Sequence, residues 1–324
     1  MLRLGNYCVR AAAAAVLLAT SIGPVVFGDS PHRRFSNRLD HGSSQRSSNQ
    51  RPAQNFEVLP LPLPPGAIGG YGVSISNRRE VAGQIINPDG TESTVVYSGG
   101  SLEQISHPDE IITSVPSISG SGDILFGNWG DFVRQTAGTF NRRTRTFQPF
   151  PAIAGKPVNI GWEMNDAGVA LGSACEGDFI NLAQCVYWLR RNGTYEFISL
   201  PQLDQFLMRN INNRGQISGQ YLLAPPFDYR AFIYENGTVN DLPIPLDAAA
   251  FGINNQGQVL LNAEFSPTDF FRPALYDRGS ITRLPDAPGM FSTVWFGLNE
   301  RGDLIGGATP DFFSPPLPFV AVRK

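Results

Sequence analysis

Hydrophobic and polar positions along the chain fall into a short unit that recurs six times. An apolar residue is followed by two small polar residues, one variable residue, usually a Gly, and then a second apolar run. The copies are Ile75-Ser76-Asn77-Arg78-Arg79, Ile118-Ser119-Gly120-Ser121-Gly122, Met164-Asn165-Asp166-Ala167-Gly168, Ile211-Asn212-Asn213-Arg214-Gly215, Ile253-Asn254-Asn255-Gln256-Gly257 and Leu298-Asn299-Glu300-Arg301-Gly302. They stand 43, 46, 47, 42 and 45 residues apart. Such regularity marks an internal repeat.

Asn, Asp and Gly tolerate the left-handed backbone that a tight turn between adjacent strands requires. Each unit therefore predicts a hairpin, as between Ala250-Phe251-Gly252-Ile253 and Gln258-Val259-Leu260-Leu261. A small residue is expected to end the second strand: Gly83, Gly127, Gly172, Gly219 and Gly306, with Asn262 breaking the rule in the fifth copy. A third apolar run follows a variable loop, as in Thr94–Tyr97, Cys185–Trp188, Ala231–Tyr234 and Pro273–Tyr276. A second tight turn, such as Asn192-Gly193 or Asn236-Gly237, leads to a fourth strand such as 238–243. Four antiparallel strands per ~45 residues describe one blade of a propeller.

The sixth copy has a third strand at Phe319–Val322 and no fourth. Phe56-Glu57-Val58-Leu59-Pro60 resembles the fourth strands Phe197–Pro201 and Ile281–Pro285. The reading is an all-β, six-bladed β-propeller of four-stranded antiparallel blades, closed by the N-terminal strand pairing into the last blade. Its repeats fall near 67–108, 109–151, 152–201, 202–245, 246–288 and 289–324 plus 56–66. An open solenoid is the alternative, though it needs caps at both ends.

Ahead of the repeats, Arg3 and Arg10 precede the run Ala11–Ala19 and a second apolar stretch ending at Val25-Val26-Phe27-Gly28. Residues 1–28 read as a secretory signal peptide cleaved before Asp29. Residues 29–55, rich in Ser, Arg, Asn and Gln, read as a disordered, mildly basic linker. Loss of Cys8 with the signal leaves Cys175 and Cys185, which an oxidising compartment is expected to join as a local structural disulfide. The expected location is secreted, extracellular or periplasmic, with no stable membrane insertion after cleavage.

Charge then narrows the partners. Residues 56–324 carry 18 Lys and Arg against 26 Asp and Glu, near −8 overall. Nucleic acid is a poor partner for such a domain.

The unit G-I-N-N-x-G-Q-V, followed by an A-F-I-Y-type strand, N-G and a D-L-P strand, resembles the HAF family of bacterial extracellular repeats. The best matches are Gly252–Val259 and, in the fourth copy, Asn210–Ile217 with Arg230–Tyr234 and Asn236–Leu242. The namesake His-Ala-Phe is not intact; Arg230 stands in place of the His. The resemblance implies a propeller-like fold and an extracellular bacterial setting, and no defined activity.

Chemistry is sparse. The three His are His32 and His41 in the linker and His107 in the first blade, too few for a Ser-His-Asp triad or a His-based metal site in the ring. No cofactor, metal site or catalytic residue is predicted. Asn87-Pro88-Asp89-Gly90 resembles a calcium loop without its later carboxylates and reads as a turn.

One pattern stands out. Between the second and third strands an Asp precedes an aromatic in five copies: Asp131-Phe132, Asp178-Phe179, Asp228-Tyr229, Asp269-Phe270 and Asp311-Phe312. These loops share one face of a propeller. Carboxylates accept sugar hydroxyls and aromatic faces stack on sugar rings, so these ten residues, with Trp129, Phe227, Phe271 and Phe313 adding to them, are a candidate glycan-binding rim. The competing reading packs the rings between blades and uses each Asp to start a turn. Three functions follow: a non-catalytic binding or adhesion module for glycan or extracellular protein, a carbohydrate-active hydrolase or lyase using paired carboxylates, and a purely structural repeat protein.

Overall fold

The computed structural model describes residues 55–105, 113–128, 136–176, 185–200, 206–224, 228–244, 247–265 and 272–324. The predicted signal peptide and nearly all of the predicted linker lie outside the described residues. Every described element is a β-strand.

The turn units do join neighbouring strands, and the strands group in fours. Blade I holds β2 (Gly69–Ile75), β3 (Val81–Ile86), β4 (Glu92–Ser98) and β5 (Ser101–Ile105). Blade II holds β6 (Thr113–Ile118), β7 (Ile124–Asn128), β8 (Gly138–Asn141) and β9 (Thr146–Pro149). Blade III holds β10 (Val158–Met164), β11 (Ala170–Cys175), β12 (Cys185–Arg191) and β13 (Thr194–Ile198). Blade IV holds β14 (Phe206–Ile211), β15 (Ile217–Ala224), β16 (Asp228–Glu235) and β17 (Thr238–Asp241). Blade V holds β18 (Ala248–Ile253), β19 (Val259–Ala263), β20 (Arg272–Asp277) and β21 (Ser280–Arg283). Blade VI holds β22 (Ser292–Leu298), β23 (Leu304–Thr309) and β24 (Leu317–Arg323), and its outer strand is β1 (Phe56–Pro60).

The last pairing closes the ring. β1 runs antiparallel to β24 with Phe56 opposite Arg323 and Pro60 opposite Phe319. The fold is thus a closed six-bladed propeller, and the inner strands β2, β6, β10, β14, β18 and β22 pack each on the next around its axis.

Apolar side chains gather at the seams between blades. One cluster joins blades III and IV through Trp162, Leu171, Tyr187, Met208, Ile217 and Phe232. The seam between IV and V is built from smaller residues, among them Ala231, Ala248, Ala250, Ala263 and Ala274.

The second-strand glycines do not end their strands. Gly172 and Gly219 sit inside β11 and β15. A Cβ on Gly172 would come within 2.0 Å of Trp188, and one on Gly219 within 2.4 Å of Phe232. Glycine here makes room for the aromatic directly opposite on the third strand.

Asn192 and Asn236 take the left-handed conformation, with φ of 50° and 51°, at their hairpin tips. Cys175 and Cys185 face each other across β11 and β12 and form the expected disulfide. Asp89 accepts from the Thr91 N–H at 3.0 Å, as a turn residue does.

Candidate functional site

The repeated turn explains itself at atomic level. Asn254 Oδ1 accepts the N–H groups of Gln256 and Gln258, both at 3.1 Å, and so caps its own turn. Its amide nitrogen meanwhile reaches the next blade, donating to Asn299 O at 3.4 Å. Asn165 donates likewise to Asn212 O at 2.9 Å, Asn212 to Asn254 O at 3.0 Å and Asn299 to Ser76 O at 3.1 Å. Each Asn is a turn cap and an inter-blade clamp together. Ser76 keeps the capping function in blade I, with its hydroxyl accepting from Arg78 and Glu80.

The second turn residue forms a parallel ring. The backbone N–H of Asp166 donates to Asn213 Oδ1, Asn213 to Asn255 Oδ1, Asn255 to Glu300 Oε2 and Glu300 to Asn77 Oδ1, all at 2.7–2.9 Å. Blade II has Gly120 at this position. A Cβ there would lie 2.6 Å from Asp166 Oδ1, so glycine lets Asp166 lean across to accept from Asn77 of blade I. Burial pushes the Glu300 carboxyl up, the Asn255 N–H opposes that, and the charge of Asp166 adds to the rise.

Blade I departs from the pattern by placing Arg79 where the turn has Gly. Arg79 still adopts φ 63°. Its guanidinium crosses the closing seam to Asp303 of blade VI, at 2.8 and 3.3 Å. Burial alone would raise the Asp303 carboxyl; Arg79, the Arg323 N–H and Asn299 hold it below the usual range.

Behind this ring the channel narrows to a cavity of about 50 Å³. Every inner strand carries a bulge just before its turn, placing Ser74, Ser117, Glu163, Asn210, Gly252 and Gly297 at one level. Glu163 is the sole carboxylate of this level. Ser117 and Ser74 donate to its Oε1 and Asn210 to its Oε2, the last two at 3.2 and 2.9 Å. Burial pushes its carboxyl up to about 7 against the lowering from these donors. One side chain thereby ties together blades I, II, III and IV.

The second-to-third and fourth-to-first connections lie on the opposite face, the one the predicted rim is expected to occupy. Asp131, Phe132, Asp178, Phe179, Asp269 and Phe270 lie outside the described residues. Asp228 is the first residue of β16, not a loop residue, and Tyr229 is buried within that strand. Asp311 and Phe312 are in a loop as expected. Asp311 Oδ1 accepts from the N–H groups of Phe313 and Ser314, and Oδ2 from the Ser314 hydroxyl. The Ser314 hydroxyl, followed by the two N–H groups, holds this carboxyl below its ordinary value. Asp311 is a turn former, and the turn presents Phe312 and Phe313 to solvent at 75% and 81% exposure. Phe291, 59% exposed on the neighbouring β21–β22 connection, packs against Phe312 with ring centroids 5.3 Å apart.

The inner level of Glu163 and the aromatic Phe291 were not among the sequence candidates. Glu163 is visible only when the residues preceding each repeat's apolar anchor are aligned as a column.

No protein-family model and no curated protein matches the chain. Solved structures do. The gluconolactonase XC5397 from Xanthomonas campestris is similar with a TM-score of 0.54 at 10% identity, over 83% of this chain and 90% of that one. A Dyadobacter fermentans protein of unknown function gives 0.53 at 10% identity, over 84% and 99%. Pyrococcus horikoshii acylaminoacyl peptidase gives 0.47 at 14% identity, and the chain spans 43% of its length. Identities this low speak for the propeller fold alone.

Proposed function

We propose that this protein is a non-catalytic binding or adhesion module of the cell exterior that recognises glycan through the loop face of the propeller. The observation carrying the proposal is the exposed aromatic cluster of Phe291, Phe312 and Phe313, held out by the Asp311 turn. Solvent-facing aromatics in contact with one another need a partner to account for them, and their faces suit the apolar faces of sugar rings. The Cys175–Cys185 disulfide and the HAF-like repeats support a secreted or periplasmic setting.

The carboxylates of Glu163, Asp166 and Glu300 line the channel cavity of about 50 Å³. Glu163 accepts its hydrogen bonds from serines and an amide of other blades.

The test is a glycan array probed with the full chain and with a Phe312→Ser/Phe313→Ser double variant. Both positions are exposed, so the variant keeps the fold. Binding that falls at least ~10-fold in the variant is the expected result, since loss of stacked rings costs about 1–3 kcal/mol in comparable sites. Equal binding by both proteins, or none by either, overturns the proposal and leaves a protein partner or a structural role.

A further inference from the structure

Arg209 occupies the bulge of β14 and is buried at 7% exposure. Its counterparts at this level are Val73, Pro116, Trp162, Phe251 and Phe296, so a cation stands where every other blade has an apolar residue. Among the described residues no carboxylate pairs with it, and its Nε has no hydrogen-bond partner. Its guanidinium lies over the Phe251 ring of blade V, 4.9 Å from the centroid. Burial lowers its pKa to about 10, with Tyr187 and Tyr229 opposing the fall. It therefore remains charged at neutral pH.

Three neighbours in the same seam are equally unsatisfied. Ser218 Oγ, both polar atoms of the Gln220 amide and the Tyr229 hydroxyl are buried without partners. Strand alternation puts them on one face: Ile217 points to blade III, so Ser218 and Gln220 point to blade V, and Tyr229 follows Ala231 to that side. Across the seam Ala248 and Ala250 present only methyl groups. Native interiors satisfy nearly all such groups, and a buried cation without a counter-charge is more costly still.

We infer that Arg209, Gln220, Ser218 and Tyr229 form a binding site for a small monoanionic carboxylate between blades IV and V. A carboxylate matches the planar fork of the guanidinium. One cation among neutral side chains balances one negative charge; a dianion would leave charge uncompensated. The hydroxyls and Gln220 Nε2 supply further donors, and Gln220 Oε1 accepts from a hydroxyl next to the carboxylate. A hydroxy acid of two or three carbons offers both a carboxylate for Arg209 and a hydroxyl for Gln220.

The test measures thermal unfolding and calorimetric binding of the full chain with glycolate, acetate and sulfate. Glycolate is expected to raise Tm saturably, by about 3 °C at ten times its dissociation constant, with acetate weaker. Arg209→Met is expected to unfold at or above the wild-type temperature in the absence of anion and to lose the glycolate shift. Gln220→Leu is expected to bind ~10-fold more weakly. If Arg209→Met fails to fold, Arg209→Lys is read instead, with ~10-fold weaker binding expected. No shift with either carboxylate, or an undiminished shift in the variant that folds, overturns the inference. A sulfate shift larger than that of glycolate overturns the assignment to a monoanion.

Discussion

The seam between blades III and IV and the seam between IV and V share a backbone plan and differ in how they fill it. At the bulge position the first has Trp162, whose indole N–H donates to Ser173 at 3.0 Å. The second has Arg209, whose Nε has no partner, and, at the position matching Ser173, Gln220, whose amide has none. In the first, Tyr187 delivers its hydroxyl to Phe206 O at 3.0 Å; in the second, the Tyr229 hydroxyl has no partner. The first is packed with aromatics and aliphatics, the second with alanines and aliphatics. Unfilled polar capacity thus differs between two neighbouring seams of one ring.

The comparison breaks most visibly at Phe232, which is fully buried in the III–IV seam. Phe232→Ala is expected to cost about 3–5 kcal/mol, read from the denaturant midpoint. Relief of an unpaired cation at Arg209→Met has the opposite sign, as set out above. A loss of less than about 1 kcal/mol at Phe232 would make the two seams equivalent.

Protonation sharpens the contrast next. Glu163 spans the III–IV seam through Asn210, and its folded pKa of about 7 exceeds the ordinary 4.5. The folded state therefore holds a proton that the unfolded chain releases. This contribution is fully present below about pH 4.5 and is lost as pH rises through 7, on the order of 3 kcal/mol at most. Glu163→Gln is expected to flatten that part of the stability-against-pH curve. An unchanged slope in the variant would refute the assignment. Arg209 keeps its charge throughout the same window.

Reduction of Cys175–Cys185, or Cys175→Ser, removes a short loop from blade III alone. The expected loss is about 2–3 kcal/mol, measured by unfolding with and without reductant. Smallest and most equal are the clamps. Asn165→Ser weakens the III–IV seam and Asn212→Ser the IV–V seam, each retaining the cap as Ser76 does. Both are expected to cost about 1 kcal/mol. A clear inequality between them would move the difference between the seams from the bulge level to the turns.

The ring was readable because the turn chemistry repeats. Ile253-Asn254-Asn255-Gln256-Gly257 states its own left-handed Gly, and the second capping hydrogen bond of Asn254 requires no more than its spacing. Closure was readable from the likeness of Phe56–Pro60 to other fourth strands. The inner level was hidden by the bulges. An extra residue shifts the alternation of each inner strand, so a period of two does not tell that Glu163 faces the channel or that Arg209 faces blade V. The glycines of the second strands misled for a related reason: what they accommodate, Trp188 or Phe232, lies on another strand. Asp311 shows why an Asp-aromatic pair carries two meanings, with its carboxylate spent on the turn while the ring beside it stays exposed.

The pairing of β1 with β24 also sets an order of events. Phe56 leaves the ribosome early, yet its strand partner Arg323 emerges only after five further blades. Until then blade VI lacks its outer strand. The earliest folded sequence must wait, unpaired, for the latest. For this chain, synthesis and closure of the circle are coupled in time, and chaperoning or transport of β1 before β24 arrives acts on an open arc instead of a ring.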